Sequence, residues 1–239
     1  MMPEGSTGSG DGILALKLQW RRERIGHGEE PECPVIQAGE ASGLGWGGLW
    51  HVCWSRPAEE LPLARALDEH AWNRILVSST CPRPSVLDQE TVPESGRWLG
   101  FFRNAVSTLN PAQGVDDKLT TAGYVITRCP LPEPACELYG ESVARLMTTT
   151  GTWFGVWKDG RCVGWILAAF RCTGGVLLEA LHVLEPWRHQ GLAARLVEAA
   201  GGGQAVWLLA GDTPSTRAFW AGRGFGIAGG YTLYRRDRG

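Results

Sequence analysis

The stretch from Glu179 to Leu196 constrains this chain more than any other. It runs through Leu181-His182-Val183 and Glu185-Pro186-Trp187 into Arg188-His189-Gln190-Gly191-Leu192-Ala193-Ala194-Arg195-Leu196. An alternating apolar run ends, a short turn with a glycine follows, and a helix-forming run begins. The first-turn amides of such a helix have no partner inside it, and they sit at the positive end of its dipole. That combination favours a phosphate. Gly191 removes the side chain that would block close approach. Ala193 keeps the next turn small, and Arg188 and Arg195 add positive charge. The segment predicts a strand, a turn with an anion site, and a helix.

Its surroundings extend the pattern. Residues 124–127, 152–157, 162–170 and 176–184 read as strands, and Asp159-Gly160 centres a hairpin turn. A helix is expected over 134–147, with Leu138, Tyr139, Val143, Leu146 and Met147 mostly inward. The helix over 191–200 is stopped by Gly201-Gly202-Gly203, and 205–209 is an apolar strand. Two strands joined through a helix imply a parallel pair. Thr213 or Asp212 caps a last helix with Pro214 in its first turn, and 231–235 closes the sheet. The sum is an α/β or α+β design, a mixed sheet with helices on its faces.

The N-terminal part is less informative. Residues 1–44 are rich in Gly, Glu, Pro and Ser and read as a flexible tail dispensable for folding, despite the apolar patch Ile13-Leu14-Ala15-Leu16. A strand is expected over 49–54. A helix entered through Pro62 would carry Leu63, Leu67, Ala71 and Ile75 on one face. Residues 81–92 read as a loop. A further helix capped by Ser95 would present Trp98, Phe101, Phe102, Ala105, Val106 and Leu109, and Asn110-Pro111 would stop it. Polar residues 111–120 mark a boundary. Three segments result: a tail over 1–44, a region over 45–118 with no signature of its own, and a domain over 119–239.

Composition narrows the function classes. A chain of 239 residues accommodates one large domain or two small ones. A net charge of -2 argues against a nucleic-acid backbone as partner. No apolar run approaches ~20 residues, so no membrane span is expected. The N-terminus lacks a basic stretch followed by an apolar one and does not read as a secretory signal. The seven cysteines include no C-x-x-C pair, so neither a metal site nor a disulfide framework is expected. Reduced thiols in a cytoplasmic protein are the simpler reading.

The turn at 188–193 resembles the pyrophosphate signature of the GCN5-related N-acetyltransferase (GNAT) family: Arg or Gln, two residues, Gly, one residue, then Gly or Ala. Arg188, Gly191 and Ala193 meet it between a strand and a helix. Leu181-x-Val183 is similar to the family's fourth strand, although Glu185-Pro186 reverses the common Pro-Glu order. Ala218-Phe219-Trp220-Ala221-Gly222-Arg223-Gly224-Phe225 is similar to the last helix and its Gly-Phe ending. The resemblance covers about residues 121–239. It implies the GNAT acyl-CoA N-acyltransferase fold, and leaves 45–118 as either a degenerate GNAT-like half or an accessory layer.

The resemblance also implies a reaction: transfer of an acetyl group from acetyl-CoA to an amine by direct attack, with no metal and no cysteine nucleophile. Acetyl-CoA would be held by the main chain of Leu181, His182 and Val183 and by the turn Arg188, His189, Gln190, Gly191, Leu192, Ala193, Ala194 and Arg195. Thr213 and Trp220 stand where relatives carry an Asn and an acidic Tyr, and are assigned to the same site. An indole cannot donate that proton, so Tyr231, Tyr234 or water would replace it. Glu179 is the candidate general base, since a carboxylate in a partly apolar cleft is raised toward neutrality. In a regular strand it shares a side with Leu181 and Val183. A rim carboxylate that only orders water is the plain alternative. Two other functions stay open: a non-catalytic acyl-CoA-binding module, and transfer of a longer acyl group. The implied partners are acetyl-CoA and an unidentified amine, for a monomer or homodimer with no nucleic-acid or membrane partner.

Overall fold

Asp11 begins the first ordered element. Its carboxylate accepts hydrogen bonds from the amides of Ile13 (3.1 Å) and Leu14 (3.0 Å) and so caps α1 (Gly12–Gly26). The computed structural model describes residues 11–46, 49–54, 56–70, 73–78, 81, 91–105 and 123–236. It divides into two compact units: one of residues 1–101, 209–222 and 226–239, the other of 102–208 and 223–225.

In the first unit α1 is followed by β1 (Val35–Ala38), β2 (Ala41–Trp46), β3 (Leu49–Cys53), α2 (Glu60–Asp68) and β4 (Arg74–Ser78). The first three strands form an antiparallel meander, and β4 runs parallel to β3. Trp50, Val52, Trp54, Leu63, Leu67, Ile75 and Val77 fill its core. The expectation of a flexible tail over 1–44 is corrected within residues 11–44, which hold α1, β1 and the start of β2, while residues 1–10 lie outside the described residues. Ile13, Leu14, Leu16 and Trp20 of α1 are buried, so the apolar patch is a docking face. Gly- and Glu-rich flanks had masked a short amphipathic signal. Ile75 is likewise corrected: it lies in β4 and not on the face of α2, while Ala71 lies outside the described residues.

A second correction concerns the helix expected from Ser95 to Leu109. That segment is β5 (Thr91–Arg103). Leu99 and Phe101 are buried and Trp98 is exposed. Its aromatic run also matched a helical spacing, and aromatics favour strands. Val106, Leu109, the boundary at 111–120 and most of the loop expected over 81–92 lie outside the described residues.

The second unit contains β6 (Tyr124–Cys129), α3 (Glu133–Tyr139), α4 (Glu141–Thr148), β7 (Gly151–Lys158), β8 (Arg161–Cys172), β9 (Gly175–Val183) and α5 (Leu192–Gly201), and receives the start of β10 (Val206–Gly211). β6 to β9 are antiparallel neighbours, and β10 is parallel to β9. Asp159 and Gly160 take φ of 49° and 76° between β7 and β8, as a two-residue hairpin requires. Gly202, at φ 60°, ends α5. The helix expected over 134–147 is broken, because Gly140 takes φ 81° between α3 and α4. Leu138 in α3 and Val143 in α4 are exposed, while Ala135, Ala144 and Met147 face inward. After β10, α6 (Pro214–Ala221) and β11 (Gly226–Arg236) return to the first unit, where β11 pairs antiparallel with β4.

Candidate active site

The strand that leads to the turn is not regular. On β8 and β9, Leu167 lies opposite Glu179 and Trp165 opposite His182. One residue on β8, Ile166, therefore faces two on β9, Ala180 and Leu181, a bulge. Ala180 absorbs it with φ 53°, a left-handed conformation unusual for a residue with a Cβ. The extra residue reverses the alternation. Glu179 therefore shares its face with His182, and not with Leu181 and Val183 as a regular strand would place it. The His182 ring stacks on Trp165 at 4.8 Å between centroids. Burial, and secondarily the nearby Arg188 charge, lower its pKa, so it is neutral at physiological pH.

The bulge has a second consequence. The pairing of β9 with β10 runs from Val206↔Val176 to Leu208↔Leu178 and stops there. On that edge the main chain of Leu181, His182 and Val183 is not laddered to β10. Those amides and carbonyls are the groups expected to bind an extended amide-bearing chain.

The turn itself leaves its first helical amides open. Its φ is positive at His189 (62°) and again at Gly191 (78°), and Gly191 is the N-cap of α5. No side chain caps the helix and no acidic residue occupies its first turn. A Cβ built on Gly191 would meet nothing within 4 Å, so the space beside these amides is open. The Arg188 Nε–H donates to the Val183 carbonyl at 2.9 Å and fastens the turn to the strand end. His189 and Gln190 are exposed, Leu192 is buried, and Ala193, Ala194 and Arg195 are half-buried. The residues present fit a diphosphate in shape and charge.

One residue of this site was not foreseen. The Tyr124 hydroxyl donates to Gln190 Oε1 at 2.6 Å, tying the turn to β6. The Lys158 ammonium lies 5.1 Å from the centre of the Tyr124 ring. The pairing joins residues 66 apart in sequence, and no local pattern announces it.

Thr213 and Trp220 belong to the first unit. Thr213 accepts the Thr216 amide at 3.1 Å and caps α6. Trp220 is 6% exposed and meets Phe219 edge-on at 4.8 Å. Both side chains have structural work. Tyr231, expected as a substitute acid, is buried and donates to Asp11 at 2.9 Å. Burial and the Asp11 charge raise its pKa, which makes it a poorer acid than an ordinary phenol. Tyr234 packs against the core of that same unit.

The sequence profile of the acetyltransferase (GNAT) family matches residues 123–225. Those residues are a GNAT acetyltransferase domain. Solved structures share the fold over nearly the whole chain. A GCN5-related N-acetyltransferase from Kribbella flavida superposes with a TM-score of 0.62 at 15% identity, covering 98% of each chain. A tandem GNAT protein from the clavulanic acid biosynthesis pathway gives 0.54 at 13%, covering 94% of this chain and 88% of its own. A GCN5-related N-acetyltransferase-like protein from Streptococcus suis gives 0.53 at 13%, covering 94% and 100%. Comparison with curated protein sequences gave no match. Residues 123–225 thus carry a GNAT acetyltransferase domain, and these solved structures share the fold of the chain. Among the described residues no helix is long and apolar enough to cross a membrane.

Proposed function

We propose that this protein is an acetyl-CoA-dependent N-acetyltransferase whose acceptor is an amine. The observation that carries the reading is the uncapped start of α5 at Gly191, placed directly after a bulged strand with one unpaired edge. The amides of Leu192, Ala193 and Ala194, with Arg188 and Arg195, would hold the diphosphate of acetyl-CoA. The main chain of Leu181, His182 and Val183 would hold its pantetheine arm. Acetyl-CoA supplies an activated thioester carbonyl. An amide on the same edge would stabilise the charge developing on its oxygen. Thr213 and Trp220 contribute support, by capping α6 and filling the core. In this reading the protein is cytoplasmic, in keeping with its seven free thiols.

Glu179 is the proposed base. It takes the proton of the attacking amine as the nitrogen–carbon bond forms and the carbon–sulfur bond breaks. The sulfur leaves as thiolate. A free thiol has a pKa of about 8.5, so leaving without an acid near neutral pH forfeits only ~2 kcal/mol. The absence of a phenol at Trp220 is the one observation favouring a binding module without catalysis. A thiol-release assay with acetyl-CoA and a panel of amines separates the two. The enzyme reading expects turnover, and a loss of about a hundredfold or more in Glu179→Gln. Acetyl-CoA binding with no thiol release from any amine would support the module instead.

The first unit is proposed to be a degenerate copy of the same fold, supported by its order of elements.

A further inference from the structure

A cavity of about 450 Å³ opens among α3, the β7–β8 hairpin and the segment after β9, all within the second unit. That volume is in the range of small-molecule sites. Two of its walls are indoles, Trp157 and Trp187, and Glu133 and Glu137 face it from adjacent turns of α3. Arg161 also lines it, leaving the carboxylates in excess by one charge. The Trp157 Nε1 is buried and has no hydrogen-bond partner among the described residues.

Strand register relates this cavity to the proposed base. Glu179 lies opposite Leu167, and Leu167 opposite Trp153. Residues opposite one another in an antiparallel pair share a face. Trp157 lies on β7 with Trp153 and Gly155, two strand steps along that same face. The separation is about 13 Å along the strand. His182 and Trp165 occupy the row between, already stacked on each other. Aromatic faces and carboxylates together attract a cation.

We propose that this cavity binds a second cationic centre of the acceptor, so that the preferred substrates are linear amines of the polyamine type. One ammonium sits against Trp157, Trp187, Glu133 and Glu137, while the amine to be acetylated reaches the Glu179 row. The proposal rests on the acetyltransferase reading above.

The test uses the full chain. Acetyl-CoA binding is measured first by calorimetry. Thiol release is then followed with α,ω-diamines from diaminobutane to diaminododecane, each beside its matched monoamine. Diamines long enough to span the two rows should be favoured in kcat/KM by about tenfold over the monoamine. The double variant Glu133→Gln/Glu137→Gln should lose that preference through KM alone. Its acetyl-CoA affinity and its rate with the monoamine should not change. Both glutamates are exposed, so the fold should survive, which thermal melting checks. Equal kcat/KM for diamine and monoamine, a preference that survives the double variant, or turnover of monoamines but not of diamines would each overturn the proposal. Thiol release from no amine at all, or failure to bind acetyl-CoA, would instead overturn the reading beneath it.

Discussion

The two units run through the same order of elements. α1-β1-β2-β3-α2-β4 and α4-β7-β8-β9-α5-β10 are each a helix, an antiparallel meander, a helix and a strand parallel to the last of the meander. They differ in the third strand of the meander and in the turn after it. β3 pairs with β2 in unbroken register from Trp46↔Leu49 to Ser42↔Cys53, and with β4 from Leu49↔Arg74 to Val52↔Val77. β9 carries a bulge and leaves β10 after three pairs. The start of α2 is acidic: Glu59 and Glu60 are buried there, and the Glu59 carboxylate accepts the Arg56 amide at 3.2 Å. A carboxylate at that point already satisfies the helix dipole and repels a phosphate. The start of α5 has a glycine and no acid. In the proposed reading the topology alone therefore does not make an acyl-CoA site; a bulge and an uncapped, glycine-led helix do.

If the first unit serves stability and the second chemistry, substitutions should separate the two. The largest effect is expected at Asp11. It is buried, lies 2.6 Å from His51 Nε2, and accepts from Tyr231. Asp11→Ala leaves both partners buried and unpaired, and should cost about 3–5 kcal/mol in denaturant unfolding. The pH dependence has a definite sign. Burial alone would raise the Asp11 carboxyl, but the His51 charge and its hydrogen bonds outweigh it and hold the pKa below 3.8. A depressed carboxyl stabilises the fold above its ordinary value and loses that contribution on acidification. The unfolding midpoint should fall below about pH 4, and fall less steeply in Asp11→Asn. Equal slopes in the two proteins would remove Asp11 from the account of acid stability.

A smaller effect is expected at Tyr124, and in the second unit alone. Tyr124→Phe removes one hydrogen bond to Gln190, worth about 1 kcal/mol. The KM for acetyl-CoA should rise about fivefold. Acetyl-pantetheine, which has no diphosphate, should be used equally well by both proteins. An equal rise for both donors would mean that the tie to β6 supports the fold generally. The smallest effect belongs to Ala180. Its left-handed backbone costs a residue with a Cβ about 1–2 kcal/mol, which glycine avoids at some entropic expense. Ala180→Gly should therefore raise stability by roughly 1 kcal/mol or less. A loss of stability would show that the Ala180 methyl is needed for packing.

The turns of the second unit are legible in the sequence because their signals are local. Asp159-Gly160, Gly191 and Gly201 to Gly203 each fix the chain within a few residues, and the structure has the turns and helix there. The first unit is built from contacts between distant segments. Asp11 meets Tyr231 across 220 positions, and the short apolar face of α1 gains its meaning only against strands that follow. The segment of β5 reads as a helix from sequence because a cluster of aromatics satisfies both periods, and its neighbours in the sheet decide between them. Within the site, Gly191 and the two arginines are visible in the sequence. The bulge at Ala180 is not. It is recorded in the register with β8, and it alone determines which face Glu179 shares.

The most direct test of the account is calorimetric titration of acetyl-CoA into the wild-type protein and Gly191→Val. Valine at φ 78° is strained, and its side chain fills the open space beside the α5 amides. The account predicts measurable binding by the wild type and at least a tenfold loss in a folded variant, an effect that Glu60→Gln at the start of α2 should not reproduce. Unchanged affinity in folded Gly191→Val would contradict it.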